Sequence, residues 1–440
     1  MRDYAIVTLV FAWIPAILMF PFVGVYAWSW ISYMVPQKLG FGFVFTWPLA
    51  EIVGIATLVA WLLSKEPKKL PLHPLVVLII IFMIWSTVIT VTAIDPAFAY
   101  KKWDQTIKIL LFTLVTCGLI TTKNRLHALV WVIVVSLGFY GLKGGLFTIM
   151  TGGQYHVWGP ANSFIADNNQ LALALVMLTP LIRYLQLQTP VRWIRWCLGG
   201  GIGLTIFAIF GTQSRGALLA IIAMLAFLIL KSRRKAFAFL ASILAITVAL
   251  VFMPQSWTDR MMTIQSYKQD SSSQERLTMW RFAIRLANDH PIVGGGFDAP
   301  GVPATAHKYL KPGEEALNYH SIYFETLGNE GYVGLAIFVT LLIMGFIYGG
   351  KVVRLTRNEP DLQWARDLGS MLQVSIVGYS VAGTFLNLAT FDLYYHLIAM
   401  VAITDLLTRR ALAQKHAPET EQRLVLSTTV TADPKPRFTV

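Results

Sequence analysis

The sequence predicts an all-α integral membrane protein of about twelve transmembrane helices, with a large helical periplasmic loop between the ninth and tenth. Three observations lead there. Hydrophobic residues make up 55% of the 440-residue chain and charged residues 13%, against roughly 45–50% and 25% in soluble domains. The apolar residues fall in runs close to the roughly 20 that a helix needs to cross a bilayer, where only helices and closed barrels satisfy their own backbone. The remaining charges sum to +13, and Lys and Arg collect in alternate connections, as bilayer orientation requires.

The runs lie at 6–25, 43–63, 74–93, 106–119, 127–150, 169–187, 196–211, 215–230, 236–253, 325–349, 368–388 and 393–407. The first follows Arg2 without a small-residue cleavage site at signal-peptide distance, so it is expected to be a retained anchor. If each run crosses once, one side collects Lys65, Lys68 and Lys69, then Lys123 and Arg125, then Arg183, Arg192 and Arg195. Lys231, Arg233, Arg234 and Lys235, and then Lys351, Arg354 and Arg357, fall on the same side. That side is expected to be cytoplasmic and to hold both termini. The connection 151–168 lacks a basic cluster and faces outward, as does the long segment 254–324. The expected organisation is nine spans in 1–253, a periplasmic loop in 254–324, three spans in 325–410 and a disordered cytoplasmic tail in 411–440. Because a membrane explains the basic balance, nucleic acid is rejected as a partner. Cys117 and Cys197 lie in apolar runs and imply no disulfide framework. The sequence has neither a Gly-rich phosphate loop nor a cluster spaced to ligate a metal.

Arg215 stands in Gly211-Thr212-Gln213-Ser214-Arg215-Gly216, a polar break at the outward end of two runs. Interfacial arginines commonly snorkel to head groups. Here a positive residue on the outer side runs against the positive-inside bias, and a two-pronged guanidinium suits a phosphate. In the outer loop, 273–288 has the spacing of a helix, with Leu277, Trp280, Ile284 and Ala287 centring one face. Arg276 borders that face and can reach a packed site, whereas Arg281 and Arg285 point to water. His320 lies in Asn318-Tyr319-His320-Ser321-Ile322-Tyr323-Phe324-Glu325, where the loop re-enters the membrane. With an ordinary pKa of about 6.5 it is mostly neutral near pH 7, as a general base must be; a helix-start histidine bonded to backbone is the equal alternative. Glu325, Glu330, Gly331 and Gly334 set how the re-entering helix begins and packs. Lys143, inside a span, snorkels or pairs. Asp392, at the outer turn before the last span, orients a basic group or caps a helix.

Taken in order, Ser214-Arg215-Gly216, Arg276 with Trp280, His290-Pro291-Ile292-Val293-Gly294-Gly295-Gly296, and His320-Ser321 followed by Glu330-Gly331-Tyr332-Val333-Gly334-Leu335 resemble the O-antigen ligase and polymerase superfamily. The family's His-Asn pair reads His320-Ser321 here. Asp167-Asn168-Asn169-Gln170 before a span resembles the subgroup of O-glycosylation ligases associated with exosortase systems.

The resemblance implies glycan transfer from undecaprenyl pyrophosphate to a hydroxyl, for O-antigen ligases a sugar of the lipid A-core, on the periplasmic side of the bacterial inner membrane. In that chemistry His320 takes the acceptor's proton while Arg215 and Arg276 neutralise the departing pyrophosphate, with Asp392 among the substrate-binding residues. A single displacement inverts the anomeric centre. Neither a metal nor any other cofactor is expected, because the chain has no Asp-x-Asp motif and arginines must replace the cation. The rival readings are an O-antigen polymerase, a protein O-oligosaccharyltransferase and, from another class, a secondary transporter. Against the transporter stand the lack of a matching pair of Gly/Pro-broken helices and the gathering of the polar candidates at the outer face.

Overall fold

The first apolar run does not cross once. In the computed structural model α1 (Arg2–Met19) stops at Phe20 and α2 (Phe22–Met34) turns back, because Pro21 has no N–H to continue the helical ladder. Tyr4, at the start of α1, packs edge-on against Phe43 beyond the end of α2, with ring centroids 5.5 Å apart. The two helices are therefore antiparallel. The expected single span 6–25 is corrected to a hairpin, and Arg2 lies at the end of the bundle opposite the basic clusters rather than beside them.

The structure describes residues 2–40, 42–231, 251–262 and 271–416, with four isolated positions between 236 and 247. Arg233, Arg234, Lys235 and most of the expected span 236–253 lie outside the described residues.

After the hairpin come α3 (Leu49–Leu63), α4 (Pro74–Val91), α5 (Pro96–Leu119), α6 (Lys123–Met150), α7 (Asn168–Gln188), α8 (Arg192–Gly211) and α9 (Arg215–Lys231). Their starts follow local chemistry. Asp95 accepts from the Phe98 N–H before α5, and Thr122 accepts from the Arg125 N–H before α6, each satisfying a donor that has no partner inside the helix. Helix α7 is the centre of the bundle: Leu171 through Leu178 are all fully buried, so an apolar surface runs all round it.

The outer loop holds α10 (Gln255–Met262), α11 (Ser271–Asp289) and α12 (Pro303–Tyr309); α13 (Ile322–Leu355), α14 (Gln363–Gly383) and α15 (Asp392–His416) complete the chain. Helix α15 continues past Arg410 to His416, so the first residues of the expected tail are helical; 417–440 lie outside the described residues.

Six of the described helices, α1, α4, α6, α7, α8 and α13, are long and apolar enough to cross a membrane. Others fall short of that standard for visible reasons. Helix α3 has 15 residues, and α5 carries Lys101, Lys102, Asp104 and Lys108 between its start and its middle. The basic connections do gather at one end. Arg125 pairs with Glu66 at 2.7 Å, Gln188 donates to Asp367 at 2.9 Å, Lys123 lies over the Trp364 ring, and Lys231 reaches Gln373.

Candidate functional site

At the opposite end, the turn from α8 to α9 sets Arg215. Gln213 takes a left-handed φ of 54°, a strained conformation for a residue with a Cβ. Side chains hold the turn there: Gln213 Nε2 donates to the Gly153 carbonyl at 3.2 Å and Asn168 Nδ2 to the Thr212 carbonyl at 2.7 Å. Ser214 Oγ accepts from the Ala217 N–H at 3.3 Å and so caps α9, which places Arg215 in its first turn. A cation at the positive end of a helix dipole is electrostatically unfavourable alone, and both together favour a bound anion.

Helix α11 supplies Arg276. Its packed face is Met279, Phe282, Ala283, Leu286 and Ala287, whereas Leu277 is 36% exposed and Ile284 40%. The helix is thus rotated by roughly a third of a turn from the face expected on sequence. Arg276 borders both stripes, which is why its placement survives the rotation. Trp280 stacks on Phe324 at 4.8 Å and donates its Nε1–H to the Tyr319 carbonyl at 3.1 Å. Tyr319 is buried in the same small core as Met279 and Phe282.

These contacts bracket His320, whose φ is 51°. The strained turn persists because Tyr319 is anchored on one side and α13 begins on the other. Burial lowers the pKa of this half-buried imidazole below its usual 6.5, the charge of Arg276 pushes the same way, and Asp167 opposes both. Electrostatics therefore bring Arg276, His320 and Asp167 into one neighbourhood.

The two glycine motifs fix α11 against α13. Gly295 and Gly296 donate N–H groups to the carbonyls of Gly328 and Asn329 at 2.9 and 3.0 Å, and the Tyr332 N–H bonds to the Pro291 carbonyl at 2.9 Å. At Gly294 an added Cβ would lie 2.6 Å from the Gly331 nitrogen, so this approach of backbone to backbone requires glycine. Gly331 itself has φ 67° and breaks α13 at the clasp.

Arg215 and Arg276 line one cavity of about 240 Å³, together with Asn169, Gln213, Ser273 and Phe385. Two guanidiniums at one cavity can bind a diphosphate; His320 is not among the residues lining that cavity and is tied to it through the charge of Arg276. Residues 200–339 match the family described as O-Antigen ligase, and that segment contains Arg215, Arg276, His320 and both glycine motifs. The match of this segment supports membership of the O-antigen ligase superfamily. Membership implies transfer of the ligase or polymerase type, on a lipid-linked glycan, by a multi-pass membrane protein. Residues 1–189 match a family described as of unknown function (DUF5935). No curated protein matches the chain.

Not every candidate gathers at this cavity. Asp392 is buried at the start of α15, where its carboxylate accepts from Ser32 of α2 and from the Leu393 N–H. Arg281 bonds within its own helix, to the Leu277 carbonyl and Thr278 Oγ1. Arg285 donates to the Tyr309 carbonyl at the end of α12. Lys143 is exposed on α6. Asp167 was not among the sequence candidates as an electrostatic partner of His320. Its capping box with Gln170 before α7 was readable as an Asp-x-x-Gln start signal, but sequence spacing holds nothing that joins residue 167 to residue 320.

Proposed function

We propose that this chain is a glycosyltransferase of the O-antigen ligase type in the bacterial inner membrane, moving a glycan from undecaprenyl pyrophosphate to a hydroxyl of the lipid A-core. The observation that supports it best is the meeting of Arg215 and Arg276 on one cavity, with His320 inside the field of Arg276. The periplasmic placement rests on the basic clusters at the far end, which favour the cytoplasmic side.

In this reading the acceptor oxygen attacks the anomeric carbon as His320 accepts its proton. The new C–O bond forms on one face while the bond to the pyrophosphate oxygen breaks on the other, so the anomeric configuration inverts. Charge then accumulates on the leaving pyrophosphate. Arg215 and Arg276 stabilise that charge more than they stabilise the ground state, and only such a difference accelerates the step. Burial and the charge of Arg276 disfavour the imidazolium form of His320, as suits a base.

The test is transfer by the full-length purified protein in detergent with a lipid-linked donor, lipid A-core and excess EDTA. A glycosylated lipid A-core is the expected product. Absence of any glycosylated hydroxyl product, or activity that returns only with added magnesium or manganese, would overturn the reading; a product elongated on a second lipid-linked glycan would convert it to a polymerase.

A further inference from the structure

A second, larger cavity of about 630 Å³ opens at the same end of the bundle. It is bounded by α2, α3, α5 between its start and its middle, residues 162–164 and the start of α7. Four lysines line it: Lys38, Lys101, Lys102 and Lys108. Lys108 pairs with both Glu51 at 2.7 Å and Asp104 at 2.6 Å, a group with an excess of negative charge. Among the described residues no carboxylate pairs with Lys38, Lys101 or Lys102. Lys38 donates to the Phe45 carbonyl at 3.0 Å. Glu325, which accepts the Ala389 N–H at 2.9 Å, acts electrostatically on Lys102 without a direct ion pair. An excess of ammonium ions over the carboxylates Glu51 and Asp104 on these walls, at the end away from the basic clusters, opposes the positive-inside bias, so orientation does not explain it. Gln37, Asn162, Gln170 and Asn387 add neutral polar groups to the same walls.

The placement is as informative as the charge. Gln170 lines this cavity and its neighbour Asn169 lines the arginine cavity, so the start of α7 is a partition between the two. Asp167, on the same turn, acts electrostatically on His320. We propose that the lysine cavity is an anion subsite on the acceptor side of the partition, in which Lys101 and Lys102, with Lys38, hold a phosphoryl group carried on a saccharide headgroup. This rests on the proposed transfer for the word acceptor, but the subsite itself rests on the cavity. Lysines are rotatable point charges that fit a phosphate held in more than one orientation. The phosphate could belong to the saccharide or to a bilayer phospholipid, and the two sources are separable.

The full-length protein in phosphatidylcholine nanodiscs would be titrated with glucosamine 1-phosphate and with glucosamine, so that binding rather than transfer is read. The phosphosugar is expected to bind about tenfold tighter than glucosamine. The double variant Lys101→Gln, Lys102→Gln should lose that difference. Lys101→Arg with Lys102→Arg should keep it, as should Lys68→Gln with Lys69→Gln at the other end of the bundle, and melting temperatures check that each variant is folded. Equal affinity for the two sugars, or unchanged affinity in the double glutamine variant, overturns the subsite. Competition by phosphatidylglycerol placed in the nanodiscs overturns the acceptor assignment in favour of a lipid headgroup; binding indifferent to it supports the saccharide. Failure of transfer with binding intact would sink the proposed reaction and leave this site standing.

Discussion

Two cavities share the start of α7 as a wall, and they present positive charge in different ways. The smaller takes its guanidiniums from two distant elements, Arg215 from the first turn of α9 and Arg276 from the loop helix α11. The larger takes Lys101 and Lys102 from consecutive positions of one helix, with Lys38 nearby. A leaving group must be gripped in one geometry as its charge grows, and planar forks converging from separate elements do that. An anion that serves only to retain a substrate needs charge without fixed direction. The difference teaches where a substitution should be felt: in the rate at the arginine cavity, in affinity at the lysine cavity.

The largest effect should come from His320→Ala. Loss of a general base costs on the order of 10²- to 10⁴-fold, and transfer by a membrane-inserted, folded variant should fall by that much. Near-normal product would remove the base from the mechanism. Arg276→Ala comes next. A charge-assisted contact to a departing phosphate in a partly desolvated site contributes about 2–4 kcal/mol, or roughly 30- to 1,000-fold in kcat. An effect confined to donor KM would show that Arg276 binds the ground state equally well. Arg215→Lys should lose less than Arg276→Ala, since charge is kept while the fork is lost. Rates equal to wild type would reduce Arg215 to a local positive charge.

A finer test concerns the wall itself. Burial first, and then Arg276, hold the His320 pKa below 6.5, and Asp167 opposes them. The base works when neutral, so activity rises with pH through that lowered pKa and is flat above it. Asp167→Asn removes the opposing charge, the pKa falls further, and the acid limb of kcat/KM moves to lower pH. A limb that stays put, or moves up, would show that Asp167 does not act on His320.

How much of this was legible in the sequence differs by feature. The helical membrane class and the basic end follow from composition and charge position, which need no tertiary knowledge. The hairpin at Pro21 was hidden because residues on both sides are apolar, so hydropathy runs through the turn without a signal. Helix α11 carries two overlapping apolar stripes, and the chain buries the one with Met279, Phe282 and Leu286; sequence periodicity cannot choose between them. Arg276 borders both stripes, so its position on the helix is the same under either. Lys101 and Lys102 carry no signal of their own in the sequence because the apolar run covers only 106–119, whereas α5 begins ten residues earlier, at Pro96. The relation of Asp167 to His320 exists only once α7 and the start of α13 are brought together.

The smallest expected effects belong to Arg281 and Arg285, and they decide whether the rotation of α11 is right. Arg281 is exposed and satisfied on its own helix, with its Nε–H on the Leu277 carbonyl at 3.2 Å and Nη2 on Thr278 Oγ1 at 3.1 Å. Solvated contacts of this kind are worth tenths of a kcal/mol, so Arg281→Ala should leave kcat and KM within about twofold of wild type. Arg285 differs in one respect: its Nη1–H on the Tyr309 carbonyl at 3.2 Å ties α11 to the end of α12. There Tyr309 also donates to Asp289 at 2.8 Å. Arg285→Ala should therefore lower the melting temperature slightly while leaving the rate within a similar range. Both arginines lie on the far side of the helix from the Met279 and Leu286 stripe, so neither can reach the cavity without turning α11. A loss in Arg281→Ala as deep as in Arg276→Ala would require such a turn, and would move the leaving-group contact to Arg281.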